Sequence, residues 1–131
     1  MQITLAAIAD YASVSIGDKL NVLGVFDTIY SREFPAAHPQ LFLAIRIQFG
    51  FDDRNRDFQL HIRLENEDGQ KAFEAVPSGR IGDVPAGEIG STNLVIGLNG
   101  LTLKGPGRYS FVITLGETEV RLPLRVVRQD S

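Results

Sequence analysis

The stretch Phe58-Gln59-Leu60-His61-Ile62-Arg63-Leu64-Glu65 decides the fold class of this 131-residue chain. Apolar and polar residues alternate strictly along it. Successive side chains of a β-strand point to opposite faces of a sheet, so a period of two predicts a strand with one buried and one solvated face. A helix would instead repeat its apolar residues every three or four positions.

Three further stretches, at residues 43–49, 109–115 and 120–126, repeat this alternation. Residues 19–29 read as one long strand around Leu20, Val22, Val25 and Phe26, and shorter strands are predicted at 71–76 and 94–98. The first twelve residues fit both a strand and a helical stripe. We favour the strand, because the neighbouring strands need pairing partners.

Turn residues separate these segments. Asp68-Gly69 predicts a tight turn, and the polar residues 52–57 predict a hairpin loop between the third and fourth strands. Residues 77–91 contain four glycines and two prolines, which predicts an irregular crossing between sheets. The prediction is one all-β domain over residues 1–131, an antiparallel two-sheet β-sandwich of about seven to nine strands. Immunoglobulin-like and C2-like topologies both remain open.

Composition narrows the classes of function. The net charge is −3 and no four basic residues are consecutive, which argues against nucleic-acid binding. The chain has no cysteine, which excludes disulfides and thiolate metal sites. No apolar run approaches the roughly 20 residues that span a bilayer, and the first residues lack the basic start of a signal peptide. We therefore expect a cytoplasmic protein without membrane insertion.

Two parts of the chain together resemble a family of small bacterial proteins known only as a domain of unknown function. The segments that carry the resemblance are Ala9-Asp10-Tyr11-Ala12, Lys19-Leu20-Asn21-Val22-Leu23-Gly24-Val25-Phe26-Asp27, Asn99-Gly100-Leu101, Gly107-Arg108-Tyr109-Ser110-Phe111 and Leu122-Pro123-Leu124-Arg125-Val126. These segments are apolar strands and turns. The resemblance implies one domain over nearly the whole chain, and it supplies no catalytic residue.

Carboxylates give the first candidate site. Asp52, Asp53 and Asp57 share one predicted loop, and Glu67 and Asp68 lie in the next. Calcium takes six to eight oxygen ligands, so neither loop alone supplies enough of them. The interpretation that we favour is solvated turn residues. A calcium- or small-ligand-binding module that uses Asp52, Asp53 and Asp57 is the alternative.

Catalytic motifs are absent from the sequence. His38 and His61 have no ligand-like spacing, and no Gly-x-Ser-x-Gly elbow or phosphate-binding glycine loop occurs. We therefore expect no enzyme activity and no cofactor, and a hydrolase is the third-ranked possibility.

Arginines on the last two strands give the remaining candidate. If these strands pair, Arg108, Arg121 and Arg125 can form a cluster on the solvated face. Such a cluster either keeps the face soluble or contacts a protein partner, and an exposed edge strand can add a partner's strand. The leading hypothesis is a non-catalytic module for binding or assembly, with another protein or a second copy of the chain as its partner.

Overall fold

The computed structural model describes residues 1–130, and these residues confirm an all-β protein. The strands are β1 (Gln2–Ser15), β2 (Lys19–Val25), β3 (Thr28–Ser31), β4 (Ala36–Gly50), β5 (Asp57–Asn66), β6 (Lys71–Ala75), β7 (Ser78–Arg80), β8 (Ile89–Leu103), β9 (Gly107–Leu115) and β10 (Thr118–Arg128). One 3-10 turn, Phe51–Asp53, is the single helical segment in this part of the chain. No helix within it is long and apolar enough to cross a membrane.

The strands form two sheets around one core. Sheet A has the order β2-β1-β4-β8. Sheet B has the order β3-β10-β9-β5-β6, with β7 also paired to β5, and it curls into half a barrel. The count of ten strands exceeds the seven to nine that were predicted, and the expectation of purely antiparallel sheets was wrong, because β3 pairs with β10 in parallel.

The parallel pairing arises in residues 19–29, which are two strands rather than one, and the additional strand β7 lies within the segment that was predicted to be an irregular crossing. The chain leaves sheet A after Val25 and enters sheet B at Thr28. Between them, the Phe26 amide donates to the Ile8 carbonyl of β1 at 3.0 Å, and the Asp27 carbonyl accepts from the Arg125 amide of β10 at 2.7 Å. Apolar periodicity cannot show such a change of sheet, since each half keeps a buried face.

The alternating apolar residues of β4, β5, β9 and β10 face the core as predicted. Leu43, Leu60, Ile62, Phe111 and Ile113 are fully buried in it. Burying a side chain of this size stabilises the fold by about 1.5–3 kcal/mol. These four strands therefore provide most of the scaffold on which the surfaces are built.

Two of the three loop predictions are confirmed by the structure. Gly69 has a φ of +78° in the tight turn between β5 and β6, as Asp68-Gly69 predicts. The segment from β7 to β8 crosses from sheet B to sheet A, and its Ile81 and Val84 are buried in the core. The predicted hairpin loop at 52–57 was wrong, because β4 belongs to sheet A and β5 to sheet B. That loop is a crossing connection.

Candidate interaction surface

Strand β1 is longer than its pairing with β4. It pairs with β4 only from Gln2 to Ala9, whereas it pairs with β2 from Ala9 to Ser15. Residues 10–24 therefore form a two-stranded extension beyond sheet A, which we call the β1–β2 hairpin.

The β1–β2 hairpin folds back over the outer face of sheet A. Its turn residue Asp18 accepts a hydrogen bond through its carbonyl from Asn93 Nδ2 at 2.8 Å. Asn93 lies on β8 opposite Arg46, and Arg46 lies on β4 opposite Leu5. A straight strand would carry Asp18 about 40 Å beyond Leu5, at about 3.3 Å per residue. The contact is possible only because the hairpin bends back toward Asn93.

The bend is at Gly24, which has a φ of +70° and lies beside Asp10. A Cβ at this position would lie 2.6 Å from Asp10 Oδ2. Glycine is therefore required at this position for two reasons. L residues rarely adopt this φ, and Asp10 occupies the space that a side chain would need.

Small residues lie where the hairpin crosses the sheet. Ala9 and Ala44 are fully buried although both point away from the core, and Ala12 of the hairpin is 3% exposed. Tyr11 packs edge-on against Phe42, with the ring centroids 5.4 Å apart. Arg46 donates to Asn93 Oδ1 at 3.0 Å, which orients the Asn93 amide toward Asp18. The hairpin is thus held against the sheet by side-chain packing and by the hydrogen bonds that link Arg46, Asn93 and Asp18.

The solvent side of the β1–β2 hairpin carries several exposed apolar residues. Tyr11 pairs across the strands with Leu23, and Val25 lies just outside the hairpin, two residues further along β2. Their exposed fractions are 49%, 64% and 67%. We call these three residues the hairpin patch. Ile16, at the turn, is 97% exposed. Contiguous exposed apolar residues of this kind mark contact surfaces more often than single ones do.

The outer face of sheet B is charged and largely paired. Arg63 contacts Glu65 at 3.0 Å and Glu119 at 3.8 Å, and Arg121 contacts the same two carboxylates at 3.5 Å each. This closed ring of four charges surrounds Val112, which is fully buried although it faces away from the core. Hydrogen bonding by Arg63, with help from Arg121, lowers the pKa of Glu65.

The structure brings two of the three predicted arginines together. Arg108 of β9 lies directly opposite Arg125 of β10, and within residues 1–130 neither side chain has an acidic partner within 4.0 Å. Arg121 belongs instead to the ring with Glu65 and Glu119. A role for Arg108, Arg121 and Arg125 in contacting a partner stays a prediction.

The loop carboxylates do not converge. Asp53 accepts hydrogen bonds from the Gly50 amide at 3.0 Å and the Met1 amine at 3.2 Å, and Asp57 pairs with Arg80 at 3.0 Å. Across residues 1–130, no three His, Asp or Glu side chains are grouped so that they could hold a metal ion. The calcium alternative with Asp52, Asp53 and Asp57 therefore gains no geometric support.

The two histidines are also apart. His61 on β5 contacts Glu74 Oε2 at 2.6 Å, and Lys71 Nζ shares that oxygen at 3.0 Å. His38 lies on β4 of the other sheet, with its ring 6.0 Å from that of Phe26. Neither arrangement resembles a nucleophile and its base, or a set of metal ligands.

Asp53 makes the stability of the fold depend on pH. Its hydrogen bond from the Gly50 amide, aided by the Met1 amine, lowers its pKa below the usual value near 4. A lowered folded-state pKa contributes stability above the unfolded pKa, and this contribution disappears as the pH falls through the folded pKa. We expect Asp53→Asn to destabilise the protein at pH 7 by up to about 1 kcal/mol, and this difference to shrink at acid pH. Urea unfolding across that range measures it, and a difference independent of pH would contradict the assignment.

The fold and its surfaces define an all-β protein with one charged outer face and one hairpin that exposes apolar side chains. The model of a family of unknown function, DUF6941, matches residues 4–127. The chain belongs to this family, as the resemblance of its strand and turn segments indicated. No curated protein matches the chain.

The sequence interpretation missed the hairpin patch. It placed Val25 among the apolar residues of one long strand and treated Tyr11 as one position of an alternating strand. One signal was available: apolar residues occupy both faces around Leu23-Gly24-Val25, and an interior glycine marks a bend or a close approach.

Proposed function

We propose that this protein is a non-catalytic β-sandwich module for binding or assembly, and that the hairpin patch is its contact surface. The observation that supports the proposal is the contrast between the two outer faces. Sheet B presents mainly arginines and carboxylates to solvent, with Tyr30 exposed on its edge strand β3, whereas sheet A presents Tyr11 and Leu23 of the hairpin and Val25 beside it.

The hairpin is also suited to binding because it is held in place before a partner arrives. Asn93 fixes its turn, and Ala12 of the hairpin is buried, as are Ala9 and Ala44 on the outer face of the sheet. A surface that is already ordered loses less conformational entropy on association, so more of the contact energy appears as affinity. Tyr11 adds a large, rigid ring of the type that is enriched at the centres of interfaces.

Charge substitution in the hairpin patch tests the proposal. The double variant Leu23→Glu/Val25→Glu places carboxylates in the patch, and Tyr30→Glu is the matched control, because Tyr30 is 63% exposed on β3 of sheet B. We expect cross-linking and size analysis in extracts of the native host to show complexes with the wild type and with Tyr30→Glu. The double variant should lose them while its melting temperature stays close to that of the wild type.

Two outcomes count against this function. Complexes that survive in Leu23→Glu/Val25→Glu would place the contact elsewhere on the surface. A wild-type protein that forms no complex in the extract, either with another protein or with itself, would remove the basis for a binding module.

A further inference from the structure

Strand β8 forms the edge of sheet A opposite to β2, and one side of it is open. It pairs with β4, and within residues 1–130 no other strand, turn or loop forms backbone hydrogen bonds with its second side, although β6 of sheet B approaches it. Every residue from Ile89 to Asn99 is paired with a residue of β4 without a register shift, and the positive φ of Gly100 follows this regular stretch. Alternate residues of an antiparallel strand direct both backbone groups away from the neighbour, so about half of these residues offer their N–H and C=O groups to an added strand. We call the open side of residues 89–99 the β8 edge.

The β8 edge lacks the features by which proteins usually prevent pairing. Residues 89–103 contain no charged residue and no proline. The edges at β3 and β6 differ, because these strands have only four and five residues and β6 carries Lys71 and Glu74. The edge at β2 carries Lys19 and bends at Gly24. A long, uncharged and regular edge promotes pairing with another strand.

The core is covered less completely at the β8 edge than one strand further in. Leu94 and Ile96 pack against the core but are only partly buried. Their partners on β4, Ile45 and Leu43, are fully buried. The difference arises because β4 has a neighbouring strand on both sides, whereas β8 has one on a single side. A strand added at this edge therefore removes apolar surface from water in addition to forming backbone hydrogen bonds.

We propose that a second copy of this chain binds at the β8 edge, with the two β8 strands antiparallel about a two-fold axis at Val95. The contact joins two four-stranded sheets A into one sheet of eight strands. It lies at the other edge of sheet A from β2, so it goes beyond the proposed function and does not depend on the hairpin patch. Strand addition at exposed edges is a common mode of association, and a two-fold axis requires an edge that is complementary to itself.

The position of the axis follows from the partly buried core residues. With Val95 on the axis, Leu94 lies opposite Ile96 of the second copy, and the symmetry repeats this pair. The apolar side chains that each chain leaves partly exposed are then covered by those of the other chain. A two-fold axis between antiparallel strands can pass through a hydrogen-bonded or a non-hydrogen-bonded pair, so this register requires no particular orientation of the Val95 backbone groups.

The outer face of β8 agrees with the same axis. Asn93, whose amide holds the hairpin turn at Asp18, lies opposite Gly97 of the second copy. Gly97 has no side chain, which leaves room for the turn above Asn93. Ile16 is two residues before Asp18 and almost fully exposed, so it lies on the side from which the second copy approaches. No like charges face one another along the contact, because residues 89–99 are uncharged.

A disulfide at the axis tests the arrangement. The chain contains no cysteine, so Val95→Cys introduces the only thiol. Residues directly opposite in an antiparallel pair have Cα atoms about 4.5–5.5 Å apart, which is within the range of a disulfide. We expect mild oxidation to convert Val95→Cys to a covalent dimer. Ser91→Cys and Asn99→Cys are the matched controls. Each lies eight residues, roughly 26 Å, from its own copy across the axis, so neither should cross-link when oxidised separately.

A mixture of the two controls tests the register. In the proposed dimer, Ser91 lies directly opposite Asn99 of the second copy. An equimolar mixture of Ser91→Cys and Asn99→Cys should therefore form the covalent dimer that neither variant forms alone. A mixture that does not cross-link, or a Val95→Cys variant that cross-links no faster than the separate controls, would overturn the proposal.

Sedimentation of the purified protein tests the association itself. We expect the wild type to be a dimer at micromolar concentrations. Val95→Lys places two lysines opposite each other at the axis and should raise the dimer dissociation constant about tenfold or more. Val25→Lys is the control, because it adds the same charge at β2 and should leave the constant within about threefold. Equal effects of the two variants would contradict the β8 edge as the contact. If Val95→Lys fails to fold, the cysteine variants decide the question.

The purified proteins also separate this inference from the proposed function. Leu23→Glu/Val25→Glu should dimerise like the wild type, so complexes in the extract are scored by what exceeds this dimer. A purified wild type that stays monomeric overturns the homodimer. If its complexes in the extract are then lost only in Leu23→Glu/Val25→Glu, the proposed function still holds. If they are lost in Val95→Lys, the β8 edge binds a different protein rather than a second copy.

Discussion

Replacement of Phe111 by alanine is expected to lower the free energy of unfolding by about 3–5 kcal/mol. Phe111 is fully buried in the middle of β9, between Leu64 of β5 and Leu122 of β10. Removal of its ring eliminates apolar burial and leaves a cavity that neighbouring strands can only partly fill, since each is fixed by hydrogen bonds on both sides. Domains of this size are stable by only about 5–15 kcal/mol in total, so the loss is large.

Urea unfolding of the Phe111→Ala variant, followed by circular dichroism, measures the effect. A lower midpoint with an unchanged slope shows that stability rather than the unfolding reaction has changed. Tyr11→Ala is the control: it also removes an aromatic ring, but one that is half exposed, and we expect a clearly smaller loss. Equal losses for the two variants would contradict the position of Phe111 in the core.

Replacement of Ala44 by leucine is expected to destabilise the protein by about 1–3 kcal/mol and to loosen the β1–β2 hairpin. Ala44 points away from the core, where a larger apolar residue on an open sheet would have little effect. It is fully buried nonetheless, because the folded-back hairpin leaves no space above it. The added atoms must displace either the hairpin or the strand beneath it.

Hydrogen exchange of residues 10–24 shows which of the two moves. We expect these amides to exchange faster in Ala44→Leu, with the amides of β5 and β9 less affected, because the hairpin is held by few contacts. Ala86→Leu is the control, since Ala86 is exposed in the loop before β8. A stable Ala44→Leu variant with normal exchange would mean that the hairpin does not cover this position.

Much of the fold was accessible from the sequence because two-residue periodicity reports burial directly. The alternation in β5 and β9 identified their core faces, and Asp68-Gly69 located a turn whose glycine has the expected positive φ. Which of the arginines lie together was harder to predict from the sequence. Pairing of β9 with β10 brings Arg108 and Arg125 together, but Arg121 is neutralised by Glu65, which lies two strands away and whose register the sequence does not show.

The exposure of the apolar residues of β2, which form part of the candidate surface, could not be predicted from the sequence either. Apolar side chains predict burial, and at Leu20 and Val22 that expectation is partly met. Leu23 and Val25 are mostly exposed, because sheet A ends at β2 and no further layer covers that side of the hairpin. Whether an apolar face is covered depends on the other elements of the fold, and the pattern within one strand contains no information about them.

By itself, the sequence of Phe58 to Glu65 and its three counterparts determined that this protein is all-β and which side chains form the core, because strand geometry converts a period of two into two faces. Only the tertiary structure decided that β2 bends at Gly24, that the hairpin lies over Ala44, and that Tyr11, Leu23 and Val25 remain exposed. These features depend on contacts between residues as distant as Asp18 and Asn93, and such contacts follow from the path of the whole chain.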